Sequence, residues 1–279
     1  MRAVVRCVLA MISIAASVVT GPAGVSAAAA NQSYGFAIAS VLPTRGEVVG
    51  VAHPVVVTFN GPVADRRAAE RAIDFKSAPQ MTGKFEWLDN DVVQWVPDRF
   101  WPAHSTVALS VGGRSTNFQT GPAVVGVASI SDHTFTVSID GVEAGPPSAL
   151  PSPHHRPHWG EAGVFPASMG RPEYPTPVDT YTVLAKERSV TMDSSSVGIP
   201  IDAPDGYLLT VDYAVRITSR GLFVHSAPWA VNELGFENVS HGCISLSPED
   251  AEWYYNTVNI GDPVIVRENS VEIPRRVGG

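Results

Sequence analysis

Apolar and polar residues alternate along much of this chain in short runs, each closed by turn formers, and a period of two is the signature of strands. Residues 54–59, 84–88, 92–96 and 106–111 read as strands in the first half, with Asn60-Gly61-Pro62, Asp89-Asn90-Asp91, Pro97-Asp98 and Gly112-Gly113 as turns. Only residues 68–73 carry a helical pattern there. In the second half, residues 124–130, 134–139, 180–184, 207–217 and 222–225 predict further strands. One helix is well signalled after them. Ser247 is its N-cap, Pro248 takes the first helical position, and Glu249 and Asp250 lie in the first turn, leading into residues 251–255. Gly261 then marks a turn into a last strand at 263–266.

The run from Gly145 to Gly160 breaks the pattern: its five prolines and lack of apolar period make it a loop. His154, His155 and His158 in it are a candidate metal cluster, although histidines in a proline-rich loop are more commonly plain surface. Composition points the same way as the strands, since 24 glycines and 23 prolines in 279 residues suit turns better than long helices. Regular short strands fit an immunoglobulin-like sandwich over residues 31–121, in which Trp87, Trp95 and Trp101 are expected to fill the interior. Residues 122–268 form a second, β-rich domain with few helices, and 269–279 a C-terminal tail. Lys and Arg number 19 against 27 Asp and Glu, and the net charge of −8 argues against a nucleic-acid backbone or an anionic membrane as partner.

Residues 1–30 have a different character. Arg2 and Arg6 precede an apolar core from Cys7 to Val19, and a small-residue stretch from Val25 to Ala30 follows, which is the plan of a secretory signal peptide. That core is shorter than the roughly 20 residues a bilayer takes, so the leader is expected to be cut near Ala27 or Ala30, leaving an exported protein with no membrane span. Cleavage removes Cys7. Cys243 is then the only cysteine, in an oxidising compartment where an unpaired thiol is either buried or used.

Ser240-His241-Gly242-Cys243-Ile244-Ser245 sets this thiol two residues after one histidine, and a second, His225, ends an apolar strand upstream. A thiol with pKa near 8.5 is only a few per cent thiolate at pH 7, so an imidazole that takes its proton, or a thiolate–imidazolium pair, raises its reactivity. Gly242 has no Cβ, which allows the N–H groups of Gly242 and Cys243 to converge on one spot and hold an oxyanion. That layout suits acyl transfer. Zinc on Cys243, His225 and His241 is the rival reading, without CxxC or HExxH spacing behind it. A merely buried cysteine is the other.

His225 followed by Ser240-His241-Gly242-Cys243 resembles the signature of L,D-transpeptidases with a YkuD-like catalytic domain, above all the mycobacterial type. Residues 165–172, 175–177, 192–196, Tyr207 and 223–229 are similar to family segments in the same order, and residues 46–102 resemble the family's immunoglobulin-like domain. The resemblance implies a mostly β protein, an immunoglobulin-like sandwich followed by the catalytic domain, acting as a cysteine acyltransferase in the periplasm or cell wall. In such enzymes the thiolate attacks the peptide bond after the diamino acid of a tetrapeptide stem, D-alanine leaves, and a second stem's side-chain amine takes the acyl group as a 3→3 peptidoglycan cross-link.

Carried over by position, Cys243 is the nucleophile and His225 its general base, oriented through the Ser226 carbonyl, with His241 supporting the thiol. The backbone of Gly242 and Cys243 forms the oxyanion hole with the Tyr207 hydroxyl, Met192 and Trp229 line the cleft, and Ser240 and Ser245 belong to its substrate side. The resemblance calls for no metal or cofactor. Its partners are donor and acceptor stem peptides, with carbapenem-type β-lactams as acylating inhibitors. An L,D-carboxypeptidase, which passes the acyl group to water, and a noncatalytic wall-binding protein are the alternatives. Two features depart from the family: Ser245 stands where asparagine is common, and the 145–160 stretch looks inserted.

Overall fold

A computed structural model of the protein describes residues 37–154 and 158–269. The predicted leader, His155 and the tail beyond Asn269 lie outside these residues. No helix among the described residues is long and apolar enough to cross a membrane.

The first part is a sandwich of two four-stranded sheets. One orders Ile38–Leu42, Val55–Phe59, Val92–Pro97 and Gly83–Trp87, all antiparallel, and the other orders Val48–Val49, Arg114–Thr120, Thr106–Val111 and Lys76–Ala78. Inward positions of both sheets, including Val57, Val93, Trp95, Val107, Leu109 and Phe118, build one core. Trp95 and Trp101 are interior, as the sequence predicts, and the Trp101 indole donates to the His53 carbonyl at 2.9 Å. The helix Arg66–Ile73 begins where Asp65 accepts from Ala68 N–H at 2.9 Å and buries Ala69 and Ile73 against this core.

The second part again layers two sheets. Val142–Glu143, Thr134–Ile139, Val124–Ser129, Pro263–Arg267 and Asp179–Thr182 are neighbours in the first, with Val164–Pro166 added against Thr134–Ile139. Ala185–Asp193, Leu208–Arg216, Phe223–Ser226 and Ile244–Leu246 form the second, where only the last pair is parallel. The helix Pro248–Thr257 starts where Ser247 Oγ accepts from Asp250 N–H at 3.1 Å, and it packs Ala251 and Tyr254 into the core between the sheets. Tyr254 meets Phe135 edge-on at 4.8 Å.

The 145–160 stretch holds neither helix nor strand among its described residues. It is nonetheless fastened down, because Ser148 Oγ donates to Asp250 Oδ2 at 2.7 Å and His154 Nδ1 lies 3.0 Å from the Leu234 carbonyl, its ring against Phe236. His154 is therefore a docked residue rather than plain surface, and His158 pairs with Glu161 at 2.9 Å.

Candidate active site

The strand Phe223–Ser226 runs parallel to Ile244–Leu246 with His225 level with Ser245 and Val224 level with Ile244. Alternation along both strands then sorts their side chains. Val224, Ile244 and Leu246 enter the main core, whereas Cys243 packs on the other side with Phe223, Val211, Ala214, Leu209 and Met192. His225 shares that second face with Cys243, one pleat period further along the neighbouring strand. Met192 thus forms part of the thiol's apolar wall, where the resemblance put a cleft residue.

Burial fixes the protonation of this pair. His225 is 4% exposed, and desolvation lowers its pKa to about 4 despite a hydrogen bond from Nδ1 to the Ser226 carbonyl at 2.8 Å. The bond assigns the ring proton to Nδ1 and leaves Nε2 as an acceptor. Desolvation pushes the Cys243 thiol up to about 11, only partly opposed by the Phe223 N–H, and Sγ lies 3.7 Å from the Gly221 carbonyl. Desolvation on both sides favours neutral thiol and neutral imidazole over thiolate and imidazolium. Trp229, 54% exposed, lies over the imidazole at 6.1 Å and screens it from one side.

The cysteine loop is held from within and from without. Ser240 Oγ accepts from Gly242 N–H at 3.0 Å and donates to the Cys243 carbonyl at 2.7 Å. In this arrangement the Gly242 N–H, expected from the sequence to face an oxyanion, is bonded to Ser240. Gly242 itself has φ +118°, a conformation that disfavours any side chain, so the loop needs glycine here for its shape. Thr176 Oγ1 donates to the Gly242 carbonyl at 2.7 Å and accepts from Gly170 N–H at 2.8 Å. Ser168 pairs with Ser245, which is buried, by two backbone hydrogen bonds. Ser245 is thereby part of the sheet that carries the thiol.

Burial is the main cause that raises the Tyr207 phenol's pKa, and the nearby Cys243, where it is ionised to thiolate, adds to the rise. The Tyr207 ring lies 4.9 Å from that of His241, which meets Tyr174 on another side at 4.8 Å. His241 Nε2 faces Arg171 Nη2 at 3.1 Å. Among the described residues, no three His, Cys, Asp or Glu side chains gather so as to hold a metal ion.

Comparison with known proteins bears on what this geometry serves. Residues 155–266 match the family model for the L,D-transpeptidase catalytic domain, and residues 26–115 match that for a bacterial Ig domain. The chain is 77% identical over 271 residues to a probable L,D-transpeptidase 3 of Mycobacterium tuberculosis, covering 96% of this chain and 100% of the relative. The chain belongs to the L,D-transpeptidases.

Two solved L,D-transpeptidases add ligands of their own. L,D-transpeptidase 3 from Mycobacterium tuberculosis, in complex with a faropenem-derived adduct, is 79% identical with a TM-score of 0.79, covering 85% of this chain and all of that one. The LD transpeptidase LdtMt1 in complex with imipenem is 50% identical with a TM-score of 0.74, covering 83% of this chain and 99% of that one. This L,D-transpeptidase therefore has an immunoglobulin-like domain followed by a YkuD catalytic domain, a transferase fold whose family makes 3→3 cross-links. Arg171, Tyr174, Thr176 and Asp205 surround the motif residues without having been singled out by the sequence. Residues 165–172 and 175–177 resembled the family, but no local spacing ties Arg171 or Asp205 to a histidine at 241.

Proposed function

We propose that the protein is an exported peptidoglycan L,D-transpeptidase that works through an acyl-enzyme on Cys243, after loss of a leader spanning residues 1–30. Its immunoglobulin-like part occupies residues 31–121 and its catalytic part 122–268. What supports the chemistry is the shared sheet face of Cys243 and His225, together with the hydrogen bond that fixes the His225 proton at Nδ1.

The reaction follows from that pair. His225 Nε2 takes the thiol proton as Sγ attacks the diamino acid's own carbonyl, in its peptide bond to the terminal D-alanine of a tetrapeptide stem, and the Cys243 N–H and Tyr207 hydroxyl face the oxyanion. The imidazolium then protonates the departing amine, so D-alanine leaves as the thioester forms. An acceptor stem's side-chain amine attacks the thioester, gives its proton to His225, and the thiol is restored as the 3→3 amide closes. Met192 and Trp229 border the donor cleft. β-Lactams of the faropenem and imipenem kind acylate the same sulfur.

Intact-mass analysis of the purified protein with imipenem, and product analysis with a disaccharide tetrapeptide, test this reading. The expected result is a single adduct and a cross-linked dimer, both lost in Cys243→Ala while its melting temperature is kept. Adduct and dimer persisting in that variant would sink it, and a tripeptide product without dimer would mark a carboxypeptidase instead.

A further inference from the structure

Arg171 joins three segments around the thiol. Its backbone N–H bonds the Ser240 carbonyl at 3.0 Å, anchoring it beside the cysteine loop. Its guanidinium reaches His241 Nε2 at 3.1 Å, ion-pairs with the Asp205 carboxylate, approaches Glu173 at 3.6 Å and covers the Tyr174 ring at 4.8 Å. Tyr174 closes the circuit by donating its hydroxyl to Asp205 Oδ2 at 3.3 Å. Asp205 lies two residues before Tyr207, whose carbonyl and N–H are both bonded to Ser194, at 3.0 and 2.9 Å.

The chemistry of the donor decides the state of His241. A guanidinium has five N–H donors and no acceptor, so its partner at Nε2 must be an unprotonated nitrogen. The ring proton is then on Nδ1, and the Asp205 carbonyl takes a hydrogen bond from this ring. Both nitrogens are committed. The groups facing this ring are Arg171 and Asp205, with Glu173 behind the arginine, and the rings of Tyr174 and Tyr207. Partial burial and the adjacent positive charge both hold His241 below the usual imidazole range.

We propose that Arg171 is a positioning residue for acyl transfer: its guanidinium clamps Asp205 to His241 and so holds Tyr207 and the cysteine loop in one frame around Cys243. This rests on the reading of Cys243 as nucleophile. His241 is a strut in this frame, not a second base. Arginine is needed rather than any cation, because one flat group must reach a carboxylate, an imidazole nitrogen and an aromatic face together.

The test compares Arg171→Gln, Arg171→Lys and Asp205→Asn with the unsubstituted protein, by nitrogen-15 NMR of the histidines and by imipenem acylation kinetics. The unsubstituted protein should show His241 as the Nδ1–H tautomer. Arg171→Gln should move its titration up toward the ordinary imidazole value and slow maximal acylation about tenfold or more, with the half-saturating drug concentration little changed. Arg171→Lys should recover part of the rate, and Asp205→Asn, on the exposed side of the clamp, should slow it less than Arg171→Gln. Acylation by Arg171→Gln within about twofold of the unsubstituted protein, or a His241 titration that does not move, would overturn the clamp. A failure of the unsubstituted protein to acylate would count against Cys243 as nucleophile, while the histidine spectra report the clamp without turnover.

Discussion

With a thiol held near pKa 11 and an imidazole held near 4, the proposed mechanism requires Cys243 and His225 to react by moving a proton between them. Both shifts come first from desolvation, which penalises either charged form. The base is neutral at every pH above about 4 and the thiol is intact below about 11, so acylation should vary little between pH 5 and 9. His225→Ala removes the acceptor and leaves only spontaneous thiolate. Its rate should then rise about tenfold per pH unit over the same range, because the thiolate fraction does so below the pKa. Imipenem acylation followed across pH 5 to 9 in both proteins decides it, and a steep rise in the unsubstituted protein would remove His225 from the role of base. Trp229, although more than half exposed, contributes to the same desolvation by lying over the ring.

Elements make the residue pair possible, and they were unevenly legible in the sequence. Strands whose apolar side chains repeat at every second position, such as Thr134–Ile139 and Thr106–Val111, stand out because one face of each enters a core. Ala185–Asp193 does not, since none of its residues is fully buried and its lysine, glutamate and arginine mask the period. Arg114–Thr120 is similarly polar, and Ile244–Leu246 is too short to show a period. The cysteine motif was legible because it is contiguous. Its support was not, as Thr176 reaches Gly242 across the fold with no local signature. Thr176→Val keeps the shape and removes the hydroxyl that satisfies both Gly170 N–H and the Gly242 carbonyl. Two buried backbone groups left without partners cost about 2–3 kcal/mol. Urea denaturation should show that loss, accompanied by slower acylation as the cysteine loop loosens. Stability unchanged to within about 0.5 kcal/mol would mean the loop holds its shape without the threonine.

At the scale of the whole molecule, the sandwich and the catalytic part are joined by backbone in close approach. Gly50 N–H bonds the Ile260 carbonyl at 2.8 Å and Ala52 N–H the Gly261 carbonyl at 2.7 Å, and a Cβ at Gly50 would collide with Asp262 and Gly261. Asp262 sits fully buried in this seam, accepting from Asn259 N–H at 2.8 Å and Val51 N–H at 3.4 Å. Desolvation outweighs these bonds and raises its pKa from 3.8 to about 6. Between those values the folded chain holds a proton that the unfolded chain has released, so the stability due to this group is full at low pH and lost as pH rises through 6. Over pH 4.5 to 7 the loss amounts to about 2 kcal/mol at 1.36 kcal/mol per pKa unit. Asp262→Asn cannot ionise. Whatever fixed cost its amide brings, the unsubstituted protein should lose about 2 kcal/mol relative to it across that range. Urea denaturation of both proteins at several pH values measures the gap directly. A gap that stays constant with pH would show that the seam accommodates an ionised carboxylate as readily as an amide, and that its polar backbone groups, rather than burial, dominate the environment of Asp262.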